Sequence, residues 1–117
     1  MNIETLREYS ISKKGVSESF PFGDDTLVFK VGNKIFLLAN LNQPASFNVK
    51  CEPERAITLR EKYSEVIPGY HMNKKHWNTV YYNGRLSDIQ IFEMIDHSYN
   101  LVLKSLSNLI QNQINKL

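Results

Sequence analysis

Cysteine is nearly absent. Cys51 is the only one in 117 residues, so no internal disulfide can form, whereas a small secreted domain would ordinarily carry several. A reducing, cytoplasmic setting is therefore expected. Long apolar runs are missing as well: the longest, Ile35 to Ala39, falls far short of the roughly 20 residues that cross a bilayer, so no membrane partner is expected. The first residues, Met1 to Glu8, mix both charge signs and lack the basic flank and apolar stretch of a signal peptide. No repeat, low-complexity tract or Gly/Ser/Pro-rich linker interrupts the chain, and residues 1–117 read as a single domain. There is no G-x-S-x-G elbow, Walker A loop or dinucleotide fingerprint; Gly32, Gly69 and Gly84 are isolated turn glycines. Neither an enzyme nor a bound cofactor is expected.

What remains has the patterning of an ordinary folded domain, with 42% hydrophobic and 22% charged residues. Ile3, Leu6 and Tyr9 recur at helical spacing, with Asn2 as N-cap and Gly15 as a stop, which predicts a short helix over 3–12. Val16, Glu18 and Phe20 alternate as a strand that runs into the turn residues Pro21-Phe22-Gly23-Asp24-Asp25. Leu27–Val31 and Lys34–Asn40, joined by Gly32-Asn33, predict a hairpin, and glycine in the first turn position favours type II′. Ser46–Cys51 places Phe47, Val49 and Cys51 on one face and Ser46, Asn48 and Lys50 on the other. Pro53 at a first helical position predicts a helix to about Tyr63. A long connection over 66–75 leads to a strand at Trp77–Tyr82. Ser87 with Gln90 forms a capping box opening one long final helix, whose polar end from Gln111 is expected to fray.

The order is helix, strand, strand, strand, strand, helix, strand, helix. Hairpin-connected strands cannot build a parallel sheet, so the fold class is α+β: two layers, with an antiparallel sheet of about five strands carrying helices on one face. The other face would be left open to a partner.

Charge is nearly balanced in sum and uneven in place. Net charge is +2, and residues 1 to 65 carry nine basic and nine acidic side chains; residues 66 to 87 carry Lys74, Lys75 and Arg85 with no acid. Around those lysines lie Tyr70, His71, Asn73, His76, Trp77 and Asn78, residue types that contact phosphates and stack on bases. The same residues also serve purely structural ends: lysines keep a loop solvated, and Trp77 would pack in the core against the last helix. His71 and His76 lack a nearby Cys, Asp or Glu to complete a ligand set, so no metal is expected. Cys51 shares the apolar parity of Phe47 and Val49 and reads as an inert core thiol. No acid/base pair emerges from Asp24-Asp25 or Glu52 and Glu54, which have turn and helix-start reasons to be there.

Five motifs carry a resemblance: Pro21-Phe22-Gly23; Phe29-Lys30-Val31; Phe47–Cys51 followed by Glu52-Pro53-Glu54; the compositionally unusual block from Pro68 to Val80; and Ser98–Val102. Together they resemble the MmcQ/YjbR-like family over nearly the whole chain. The resemblance implies an α+β domain similar in outline to frataxin-like and secretion-chaperone-like folds, with a proposed DNA-binding role described as a double wing. On that basis double-stranded DNA is the expected partner. It would be held through its phosphates by Lys74, Lys75, Arg85, His71, His76 and Asn73, with one or both hairpins as wings. A protein-interaction module using the open sheet face or an edge is the alternative, and a small-molecule binder the third reading.

Overall fold

The computed structural model describes residues 1–70 and 72–117. Its elements are α1 (Ile3–Ile11), β1 (Val16–Ser19), β2 (Thr26–Val31), β3 (Lys34–Asn40), β4 (Ser46–Lys50), α2 (Pro53–Lys62), β5 (Val66–Pro68), β6 (Trp77–Tyr81), α3 (Asp88–Lys104) and α4 (Asn108–Asn115). All neighbouring strands pair antiparallel, in the order β1-β2-β3-β4-β6-β5. The α+β class stands, with one more strand than expected. The additional strand, β5, is three residues ending in Pro68, too short to show any alternation, and it exists because β6 offers it a ladder.

Local chemistry sets most element ends. Asn2 accepts the Thr5 N–H at 2.8 Å and opens α1. Ser87 and Gln90 exchange the reciprocal bonds of a capping box at the start of α3. The Gly32-Asn33 turn joins β2 and β3, but with φ of 56° and 66° both residues are left-handed, so the turn is type I′ and not II′. The expected single final helix is broken. The Ser105 hydroxyl turns back onto the Val102 carbonyl, Leu106 is buried, and Ser107 caps a new helix. The expected fraying end is therefore α4, whose Ile114 is buried beside Gly15.

The core lies between the sheet and its helices. Leu27, Phe29 and Val31 of β2, Phe36, Leu37 and Ala39 of β3, and Phe47 and Val49 of β4 meet Leu6 from α1 and Ile91, Ile95, Tyr99 and Val102 from α3. A β-bulge between Phe29 and Lys30 shifts the register so that the consecutive residues Phe36 and Leu37 both enter this core. The alternate positions form the opposite, helix-free face.

Candidate functional site

The segment that follows β5 is pinned at its backbone. The Asn73 carbonyl accepts the N–H groups of His76 at 3.1 Å and Trp77 at 2.9 Å, while the Asn73 side chain accepts the Lys75 N–H at 3.0 Å. From α2, the Arg60 guanidinium donates to the Lys74 carbonyl, to the Trp77 carbonyl at 3.2 Å, and to Asn78 Oδ1 at 2.7 Å. The Lys74 and Lys75 side chains are left exposed on a braced loop. Asn73 spends its side-chain oxygen on the turn, and the half-buried His76 lends its carbonyl to the Cys51 N–H at 2.7 Å. His71 lies outside the described residues.

Arg85 is elsewhere. It follows β6 at the end away from the lysines, with a strand of roughly 13 Å between. Its backbone N–H donates to Glu65 Oε2 at 2.6 Å and holds that carboxylate below its ordinary range; its own guanidinium, 87% exposed, lies 3.9 Å from the same oxygen. The acid-free segment of the sequence is therefore not one basic patch in space. Glu65, immediately before it, folds back onto Arg85.

The loop borders the open face of the sheet, where Lys50 pairs in register with Trp77. Trp77 takes the open-face parity together with Thr79 and Tyr81, so it does not pack against the last helix; Asn78 and Val80 hold the helix side. Among the strand residues, Lys30 and Lys50 are the charged side chains on this face, since Glu18 takes the core parity of its register partner Phe29 and pairs with Arg7 of α1 at 2.6 Å. Across its middle runs a groove of about 640 Å³, floored by Leu38, Asn40, Ser46, Asn48, Thr79 and Tyr81 and walled by Phe22, Pro44, Tyr70 and Met72. Phe22 is 64% exposed. The Thr79 hydroxyl accepts the Tyr70 N–H at 2.9 Å and donates to Asn48 Oδ1, which ties the loop to the groove floor. The alternation of Ser46, Asn48 and Lys50 foreshadows this face; nothing local foreshadows its walls or the Arg60 brace.

Replacing Arg60 with alanine should cost about 1–3 kcal/mol, because the Asn78 side chain, 1% exposed, loses a charge-assisted partner. Amide exchange at His76 and Trp77 should quicken as the loop loosens. Lysine should rescue poorly, having no fork to reach three acceptors. Exchange rates equal to the parent would show that Arg60 is not what holds the loop.

Behind the sheet, Cys51 and His97 line a second, much smaller cavity of about 10 Å³, room for one water. Burial pushes the Cys51 thiol up and the His97 imidazole down, and His97 Nε2 accepts the Glu52 N–H at 3.1 Å. The expected core thiol is a buried, unactivated one. Among the described residues no three His, Cys, Asp or Glu side chains converge as a metal site, and no helix is long and apolar enough to cross a membrane.

Comparison with known proteins matches this architecture across the chain. The uncharacterized protein YbdF of Escherichia coli O157:H7 is 35% identical over 112 residues, covering 95% of this chain and 92% of that protein. The uncharacterized protein YjbR of Escherichia coli K12 is 38% identical over 101 residues, 85% of each. The crystal structure of Deinococcus radiodurans protein DR2400, with a DUF419 domain, superposes with a TM-score of 0.91 at 33% identity, covering 97% of this chain and 88% of that one. A Pseudomonas syringae protein, target PsR293, superposes with a TM-score of 0.76 at 29% identity over 87% of this chain and 99% of that one. The YjbR family model matches residues 11–101, a span running from the end of α1 through the open sheet, the Lys74 loop and most of α3, and the chain belongs to the YjbR family.

Proposed function

We propose that the domain is a non-catalytic DNA-binding module that holds the phosphate backbone with Lys74 and Lys75, beside the open face of its sheet. The observation that carries this reading is the charge of that face. Lys30 and Lys50 stand on it without an acidic neighbour in any strand, and the loop whose Tyr70 and Met72 wall its groove carries two exposed lysines further along. Such an arrangement attracts a polyanion locally although the net charge is only +2. Arg85 contributes less, being engaged with Glu65 at the far end of β6. Docking of a protein by strand addition is disfavoured, because the two sheet edges are the four-residue β1 and the three-residue β5 with its terminal proline.

The test is a fluorescence titration with mixed-sequence DNA, duplex and single-stranded, at two salt concentrations. Affinity should fall with salt, and the K74A/K75A variant should weaken binding to all sequences about equally, since phosphate carries no base identity. Each lost contact should lower the magnitude of the log–log salt slope by roughly one. Stability should change by about 0.5 kcal/mol or less. A folded double variant with parental affinity and slope would remove the loop from the interface, and absence of binding to any DNA at low salt would end the reading.

A further inference from the structure

The groove on the open face has walls and floor of a different character from the lysines beside it. Its volume, about 640 Å³, falls in the range of sites that enclose a small ligand. Two of its rings, Phe22 and Tyr81, belong to neither the buried core nor its partly buried fringe. Between Leu38 and Tyr81, its floor is amide and hydroxyl. The Thr79 hydroxyl accepts the Tyr70 N–H and donates to Asn48 Oδ1, which leaves the Asn48 NH₂ without a protein acceptor among the described residues. Asn40 likewise uses its Oδ1 on the Asn42 N–H, at 3.1 Å, and its NH₂ has no protein acceptor among the described residues. Donors on the floor, aromatic rings on wall and floor, and a cation close by form a set complementary to a base and its phosphate. Lys50 stands on the same face two residues beyond Asn48, roughly 7 Å along the strand.

Resting on the DNA-binding reading, we infer that this groove receives an unpaired nucleobase, so that the domain binds single-stranded DNA in preference to duplex. Rings of Phe22 and Tyr81 stack on the base, the amides of Asn40 and Asn48 meet acceptors on its edge, and Lys50 with the Lys74–Lys75 loop follows the phosphates. Duplex DNA presents no free ring face, because its bases are already stacked and paired. It reaches the lysines and not the groove. Sheet faces that bind single strands combine stacking aromatics with a basic track in this way.

The experiment compares the intact chain with F22A and Y81L, titrating fluorescent oligothymidylate of roughly 10 nucleotides, within the span of one such surface, against a duplex of the same length. Oligouridylate is titrated in parallel and distinguishes DNA from RNA; binding of oligouridylate alone, with no DNA bound at low salt, overturns both the inference and the reading it rests on. The parent should bind the single strand more tightly than the duplex. Each ring removal should weaken single-strand binding about 5- to 150-fold, the loss of one stack, and leave duplex affinity within twofold or so of the parent. Phe22 is an exposed turn residue, so F22A tests the groove without endangering the fold. Circular dichroism melting checks Y81L. Equal affinity of the parent for both forms, or single-strand binding insensitive to F22A and Y81L while duplex and K74A/K75A behave as above, overturns the groove inference and leaves the phosphate reading intact. No binding of either form overturns both.

Discussion

Replacing Ser98 with alanine is expected to lower the unfolding free energy by about 2–5 kcal/mol, far more than the loss of a single hydroxyl ordinarily costs. The reason lies in the bulge. The β3–β4 ladder begins at Leu37 opposite Val49, which leaves Phe36 and Lys50 facing each other without a direct bond. The Ser98 hydroxyl fills that position from α3, donating to the Phe36 carbonyl at 2.6 Å and accepting the Lys50 N–H at 2.8 Å. Ser98 is fully buried, so alanine would strand two backbone groups at once, each carrying a desolvation cost of about 1–3 kcal/mol. Threonine keeps the hydroxyl and adds a methyl group to a fully buried site, so it should fall between the two. Urea unfolding of the three proteins measures this directly. A Ser98→Ala midpoint equal to the parent would mean that Phe36 and Lys50 pair with each other once the hydroxyl is gone, and that α3 is not the bridge.

Features decided within a few residues are legible from the chain. Asn2, Pro53, and Ser87 with Gln90 mark helix starts through groups that lie three residues away or less. The polar face of β4 is equally plain, because Ser46, Asn48 and Lys50 alternate cleanly with Phe47 and Val49. Features decided by distant partners are not. Trp77, Thr79 and Tyr81 look like the buried set of their strand, yet the core side is held by Asn78 and Val80. Asn78 is acceptable there only because Arg60, 18 residues earlier, donates to it. Leu106 looks like one more position of a long helix, and its role becomes visible only when the hairpin turn arrives above it. The candidate site divides in the same way. Lys74 and Lys75 are neighbours by covalent necessity, whereas Arg85 groups with them only because no acid intervenes in sequence, and β6 carries it to the opposite end of the sheet.

The same turn yields the second large effect: Gly32→Val should destabilise the domain by about 2–5 kcal/mol, in two separable parts. One part is backbone. Gly32 sits at φ 56°, where a β-branched side chain is strained by about 1–3 kcal/mol. The other part is contact: a Cβ built on Gly32 would lie 2.5 Å from Leu106 Cδ1, and Leu106 is buried in the core between α3 and α4. Moving it aside resembles overpacking a core and costs a further ~1–3 kcal/mol. A double-mutant cycle with Leu106→Ala tells the parts apart. Truncating Leu106 is costly in itself, but in that background Gly32→Val should lose only the backbone part, giving a coupling of about 1–3 kcal/mol. Gly32→Ala, unbranched but still bearing a Cβ, should retain the contact and shed some of the strain. Chemical denaturation of the four cycle members supplies the numbers. Strict additivity would show that the turn does not rest on Leu106, and a Gly32→Val protein as stable as its parent would mean that the turn between β2 and β3 does not hold residue 32 in the left-handed region.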